Sequence, residues 1–163
     1  MTRWKFTSSA QGWSTGIGSF AFTSGLGSPA PGCLSGDGSI DTAIAGLSIS
    51  VTAGEAWSFR CRFVGNGGFS PPQYASVLFE AFYSAGWHEL HNDVVFEFTS
   101  DTADSGWLTI SGTLPHTATI SELHIVFSNI AESTGYLDTV IVAEAGLDYD
   151  LTHNTGGIPG SII

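Results

Sequence analysis

Fifteen carboxylates, five histidines and four cations are the groups in this chain that could do chemistry, and their spacing decides which chemistry is open to them. Glu80 and Glu97 are the pair to weigh for glycoside hydrolysis, which needs an acid and a nucleophile or base facing each other. Nothing beside either one marks it as catalytic, and Arg60 or Arg62 on a neighbouring strand is expected to pair with Glu80 across a sheet. The run "WHELHND", residues 87 to 93, sets His88 and His91 beside Glu89 and Asp93. Zinc would need three or four convergent ligands from such a run. The plainer reading is a pair of solvent-facing loop histidines whose charge responds to pH. No G-x-S-x-G elbow is expected, and a helical H-E-x-x-H and a phosphate-cradling G-x-x-x-x-G-K are both absent. The chain reads as a non-enzyme.

Aromatic side chains offer a different chemistry. A flat ring can lie against the C–H face of a sugar while amides and carboxylates satisfy its hydroxyls. Trp87, Tyr74 and Phe69 sit in or beside two loop-like segments, and Asn66, Gln73, His88, Glu89, His91 and Asn92 supply polar neighbours. Together they form a candidate sugar platform. Trp13, Trp57 and Trp107 fall where inward-pointing packing residues are expected.

The elements that must position these groups are strands. In "EAWSFRCRFV" the alternation sends Trp57, Phe59, Cys61 and Phe63 to one face and Ser58, Arg60 and Arg62 to the other. "YASVLFEAFYS" alternates Val77, Phe79, Ala81 and Tyr83 against Ser76, Leu78, Glu80 and Phe82; both faces are apolar enough that one can line a partly covered concavity. In "ELHIVFSNI" the inward set is Leu123, Ile125 and Phe127, with His124, Val126 and Ser128 facing away. "GCLSGDGS" (32 to 39), "GNGGFSPPQ" (65 to 73) and "AGWHELHND" (85 to 93) read as a turn-rich connection and two loops, the second because its prolines and glycines remove donors and loosen the backbone. No three-turn helix and no internal repeat is evident. About nine to eleven strands are expected, folded as an antiparallel two-sheet sandwich.

Composition agrees with an all-β chain and excludes several functions. The 163 residues suit one domain, with 42% apolar and 12% charged residues and 21 glycines. A formal net charge of -11 repels a nucleic-acid backbone and an anionic membrane surface alike. No apolar run reaches the length of a membrane helix, and no signal-like apolar region follows Met1, so synthesis in the cytoplasm is expected. Cys33 and Cys61 are the only cysteines; they read as small buried thiols, with a bridge between them as the alternative. The cations fall as two i, i+2 pairs, Arg3 with Lys5 and Arg60 with Arg62. Such stripes would meet an acidic partner, or Glu80 and Glu97.

In "GYLDTVIV", residues 135 to 142, a carboxylate stands among sheet-forming residues. Tyr136, Leu137, Asp138, Val140 and Val142 follow the order aromatic, aliphatic, Asp, any residue, Val, any residue, aliphatic. With Gly12 and Trp13, "PGCL" at 31 to 34, and Trp107 followed eight residues later by Pro115, this pattern resembles the jelly-roll carbohydrate-binding modules of the family 4/9/22 type, over roughly residues 4 to 144. The resemblance implies a jelly roll and a glycan ligand. It also implies a structural calcium at Asp138, no other cofactor being expected. The segment "WKFTSSAQGW" offers no carboxylate, so Asp138 would have to enlist Gln11, Asp37, Asp41 or backbone carbonyls. The alternative is that Asp138 accepts hydrogen bonds from backbone N–H groups of a neighbouring turn.

Residues 145 to 163 break both periodicities and are expected to form an extended arm beyond a sandwich spanning 1 to 144. Ile158, Ile162 and Ile163 give that arm an apolar end suited to docking. The expected function is a virion-type structural protein, a phage decoration or tail-associated jelly roll on the virion surface, partnered by its own copies or a major particle protein and contacting host glycans. The alternative is a free-standing carbohydrate-binding module.

Overall fold

The computed structural model describes residues 2–6, 8–27 and 32–144. Eleven strands follow one another: β1 (Thr2–Trp4), β2 (Trp13–Thr15), β3 (Ala21–Ser24), β4 (Gly32–Gly36), β5 (Ile40–Val51), β6 (Ala56–Gly65), β7 (Gln73–Tyr83), β8 (Gly86–Phe98), β9 (Leu108–Thr113), β10 (Ala118–Ser128) and β11 (Ser133–Glu144). They form two antiparallel sheets. One is six-stranded in the order β3-β4-β11-β6-β9, with β1 also paired to β11; the other is five-stranded in the order β2-β5-β10-β7-β8. No helix occurs among the described residues, so none there is long and apolar enough to cross a membrane.

Period-two alternation builds the core. Trp57, Phe59, Cys61 and Phe63 of β6 face Val77, Phe79 and Ala81 of β7 and Leu123, Ile125 and Phe127 of β10, all buried. Rings from opposite sheets meet edge to face: Trp57 on Phe79 at 5.0 Å and Phe63 on Phe127 at 4.9 Å. Such pairs add about 0.5–1.5 kcal/mol each to the burial itself. Gly135 is fixed by this packing, because a β-carbon there would stand 2.6 Å from the Phe127 ring.

The sandwich departs from the sequence reading in three places. "GCLSG" is strand β4, held between β3 and β11. "GWHELHND" is not a loop but the first part of β8, which pairs with β7 along its length and forms the sheet edge. The hairpin turns on two residues, Ser84 and Ala85, both at positive φ (50° and 61°), the handedness that matches strand twist. Trp107 lies outside the core cluster, just before β9. The segment after β6 is a loop as expected, spanning 66–72 between Gly65 and Gln73.

Candidate functional site

The register of the five-stranded sheet assigns its outer face row by row. Gly46, Glu122, Phe82 and Trp87 stand side by side across β5, β10, β7 and β8. The next row is Ser14, Ile44, His124, Glu80 and Glu89, followed by Thr42, Val126, Leu78 and Asn92. Tyr74 and Glu97 close the far end. Apolar Ile44, Val126 and Leu78 occupy the middle, with aromatics at both ends and carboxylates between them.

Trp87 is the centre of one end. It is 42% exposed, meets Phe82 edge to face at 5.3 Å, and lies over the His124 imidazole at 4.0 Å with 33° between the planes. His124 is itself held on both sides. Its Nδ1 is 3.2 Å from Glu80 Oε1, and its Nε2 is 2.7 Å from Glu122 Oε1. Asn92 donates to Glu89 Oε2 at 3.0 Å.

Of the residues singled out in the sequence, Trp87, Tyr74, Glu89 and Asn92 share this face. Tyr74, 51% exposed, stands eight residues along β7 from Phe82, about 26 Å at strand rise, so the two aromatics mark opposite ends. The others lie elsewhere. His88 pairs with inward Ala81, stacks on Tyr83 at 3.8 Å, and sits 6.3 Å from His116. Burial raises the pKa of the Tyr83 phenol, whose hydroxyl has no hydrogen-bond partner. His91 pairs with Phe79 and reaches Trp57 at 6.3 Å, so the two are not loop histidines. Phe69 packs edge to face on Phe98 at 5.6 Å. Gln73 donates to the Ser70 carbonyl, and Asn66 donates to Thr134 at 3.0 Å at the end of the β6–β11 pair in the other sheet. The sequence reading gave no role to His124, Glu122 or Phe82. Parity did place His124 and Phe82 opposite the buried sets; what joins them to Trp87 is cross-strand register.

The Glu80–Glu97 pair weighed for hydrolysis does not assemble. Glu97 stands opposite Tyr74, six residues along β7 from Glu80, or about 20 Å, against the roughly 5–10 Å that glycoside hydrolysis uses. Gly12-Trp13-Ser14-Thr15-Gly16 does fit the pattern G-x-S-x-G, which the sequence reading passed over. Ser14, however, lies within β2 opposite Ile44, not on the strand-to-helix turn that such a nucleophile needs. Among the described residues there is no group of three or more His, Cys, Asp or Glu able to hold a metal.

The outer face of the six-stranded sheet has the opposite character. Arg60 and Arg62 face Asp138 and Tyr136 across the β6–β11 pair, and Arg3 faces Ile141. The pairing with Glu80 and Glu97 expected from the sequence does not form, since those acids lie on the other sheet. Arg62 instead clasps Asp104 with two bonds, Nε to Oδ1 at 2.9 Å and Nη2 to Oδ2, and Arg60 lies 5.8 Å from the Trp107 ring centre. The Arg62 bond holds Asp104 below the ordinary carboxylate pKa, and Arg62 is raised in turn. Burial and then Arg3 lower the Lys5 ammonium, while Asp138 raises it.

Asp138 is fully buried at a bulge in β11, where the register to β6 shifts. Its Oδ1 accepts from the Thr139 N–H at 2.7 Å and from the Thr139 hydroxyl at 3.2 Å, so one stabilising residue belongs to its own bulge. Gln11 accepts from the Lys5 N–H. Asp41 accepts from Ser19 and Gly38, and Asp37 from Ser19. Lys5 and Arg60 stand close to Asp138, and a divalent cation there would need several further oxygens to converge on it. Both cysteines are free thiols. Burial pushes each up to about 12, with Asp138 adding to the effect at Cys33. Ile158, Ile162 and Ile163 lie outside the described residues.

No protein-family model matches the sequence, and no curated protein matches it as a relative. Solved structures do share the architecture. A CBM22 xylan-binding domain of Paenibacillus barcinonensis Xyn10C is 16% identical with a TM-score of 0.54, covering 89% of this chain and 95% of its own. A CBM28 module specific for non-crystalline cellulose is 11% identical with a TM-score of 0.55, over 83% and 89%. The K1 cleaved adhesin domain of Lys-gingipain from Porphyromonas gingivalis W83 is 12% identical with a TM-score of 0.57, over 88% and 98%. At these identities the likeness concerns the backbone alone. The chain has the jelly-roll fold of the carbohydrate-binding modules.

Proposed function

We propose that the protein binds glycan chains, without catalysis, along the outer face of the five-stranded sheet. The observation that supports this is Trp87: a large ring 42% exposed, seated on Phe82 and His124 in a face of carboxylates with the Asn92 amide. An indole in that setting offers an apolar plane to a sugar ring, with acceptors and donors nearby for its hydroxyls. Jelly rolls of the same architecture include modules described as xylan-binding and cellulose-specific. A glycan array probed with the wild type and with Trp87→Ala tests the reading. Binding that Trp87→Ala weakens by about thirtyfold or more, the scale of a tryptophan hot spot, is the expected result. Silence of the folded wild type across the array, or undiminished binding by the variant, would sink it.

A second reading has its support in the sequence. The apolar end of the arm, Ile158, Ile162 and Ile163, suits burial against a partner better than water. It would make the jelly roll a structural component of a particle, displayed on a virion surface and anchored by residues 145–163, with glycan contact as its outward role. Deleting those residues is expected to abolish incorporation into the particle. Undiminished incorporation of the truncated chain excludes the anchor.

A further inference from the structure

Resting on the glycan-binding reading, we propose that His124 is the positioning residue of the Trp87 platform: held as an imidazolium between Glu80 and Glu122, it fixes the indole plane that a sugar meets, and loss of its proton loosens that plane and weakens binding.

The argument begins with donors and acceptors. Both ring nitrogens of His124 face carboxylate oxygens, at 3.2 Å and 2.7 Å. A neutral imidazole has one N–H and one bare lone pair, so it satisfies one carboxylate and repels the other; only the doubly protonated ring donates to both. The two acids come from different places, Glu80 from β7 and Glu122 from β10 itself, and together they clamp the ring in plane. Over that ring lies Trp87 at 4.0 Å. A cation beneath an indole is attracted by the ring's negative face, so the charge that closes the clamp also draws Trp87 onto it.

The titratable groups that face His124 are carboxylates. Glu89 of β8 stands across from Glu80, and β5 contributes uncharged Ile44 next to His124. Every lysine and arginine of the chain lies on or beside the other sheet. His88 turns to the opposite side of β8, against Tyr83. Removing the His124 proton breaks one of the two bonds, leaves Glu80 or Glu122 facing a lone pair, and ends the attraction for the indole.

The test uses the full chain at about pH 5.5 and about pH 8.5, bracketing the range in which histidine changes charge. Titration calorimetry with the best array glycan is expected to show affinity falling about tenfold from the lower to the higher pH. His124→Phe keeps a ring under Trp87 but takes no proton, and its affinity is expected to stay flat. Trp87 emission, isolated as wild type minus Trp87→Phe, gives a readout without sugar. It should shift over the same pH range in the wild type and not in His124→Phe or His124→Gln. A wild-type affinity independent of pH, or an emission shift that persists in both His124 variants, overturns the proposal. An array that stays silent while the His124-dependent emission shift appears overturns the glycan reading and leaves the positioning role standing.

Discussion

The two outer faces of this sandwich are built on the same alternation and end with opposite chemistry. One collects Arg3, Lys5, Arg60 and Arg62, every lysine and arginine in the chain; the other carries Glu80, Glu89, Glu97 and Glu122 with Trp87, Tyr74 and Phe82. The cationic face is internally engaged, Arg62 by Asp104 and Arg60 by the Trp107 ring. On the acidic face the main aromatic is still 42% exposed. Inner faces are tied to one composition by burial, whereas outer faces have only to stay wet. The comparison teaches that function in such a fold is written in the residues of outward parity, and that the face whose polar groups remain available is the one to examine.

The largest expected effect concerns what both faces share. Phe127 is fully buried and meets Phe20 at 5.0 Å and Phe63 at 4.9 Å, so it ties the sheets together. Phe127→Ala should cost about 3–5 kcal/mol of stability in a urea melt. Both faces should fail together, with glycan binding and the Arg62–Asp104 bond lost in one transition. If the cationic face melted separately from the acidic one, the two could not be treated as surfaces of a single core.

Next in size is the contrast between two tryptophans. Trp87→Ala is expected to weaken sugar binding by about thirtyfold or more, as described above. Trp107→Ala, on the other face beside Arg60 and Tyr136, should leave affinity within about twofold, as surface changes away from a site do. Calorimetry on both variants sharpens the comparison. Loss of binding in Trp107→Ala instead would move the site to the cationic face.

What the sequence reveals follows the same division. The buried sets of β6, β7 and β10 are legible because each strand keeps strict alternation through its core positions. β8 is not: its pairing to β7 shifts register at Ala75/Ser76 and again at Phe79/Glu80, which scrambles period two, and its turn is Ser84-Ala85 rather than the Asn-Gly or Asp-Gly that signals a tight hairpin. β4 hides behind three glycines in "GCLSGDGS" that suggest turns. Cross-sheet placement is hidden altogether. Glu80 and His124 are 44 residues apart, and no local pattern tells that they are neighbours while Arg60 belongs to the other sheet. The site was therefore legible as residue types, and half-legible as positions: Trp87, Tyr74, Glu89 and Asn92 share a face, whereas Phe69, Asn66, Gln73 and His88 do not reach it.

The smallest effect tests whether the cationic face is held by its ion pairs or merely decorated with them. Arg62 lowers the Asp104 pKa in the folded protein, chiefly through the hydrogen bond between their side chains. A carboxylate lowered on folding stabilises the native state above its unfolded pKa, and that contribution disappears as pH falls through the folded value. The side chains remain 30% and 40% exposed, so solvent screens the pair and its worth is at most about 1 kcal/mol. Asp104→Asn should therefore lower stability by less than that at pH 7, and the difference from wild type should shrink toward zero as urea melts are taken below about pH 4. Sugar affinity should not change, because Asp104 acts on the far side of the core from Trp87. Asn keeps an oxygen that can accept from the Gly106 N–H (2.8 Å), so a penalty well above 1 kcal/mol, or one that persists in acid, would show that the screened charge is not what Asp104 contributes.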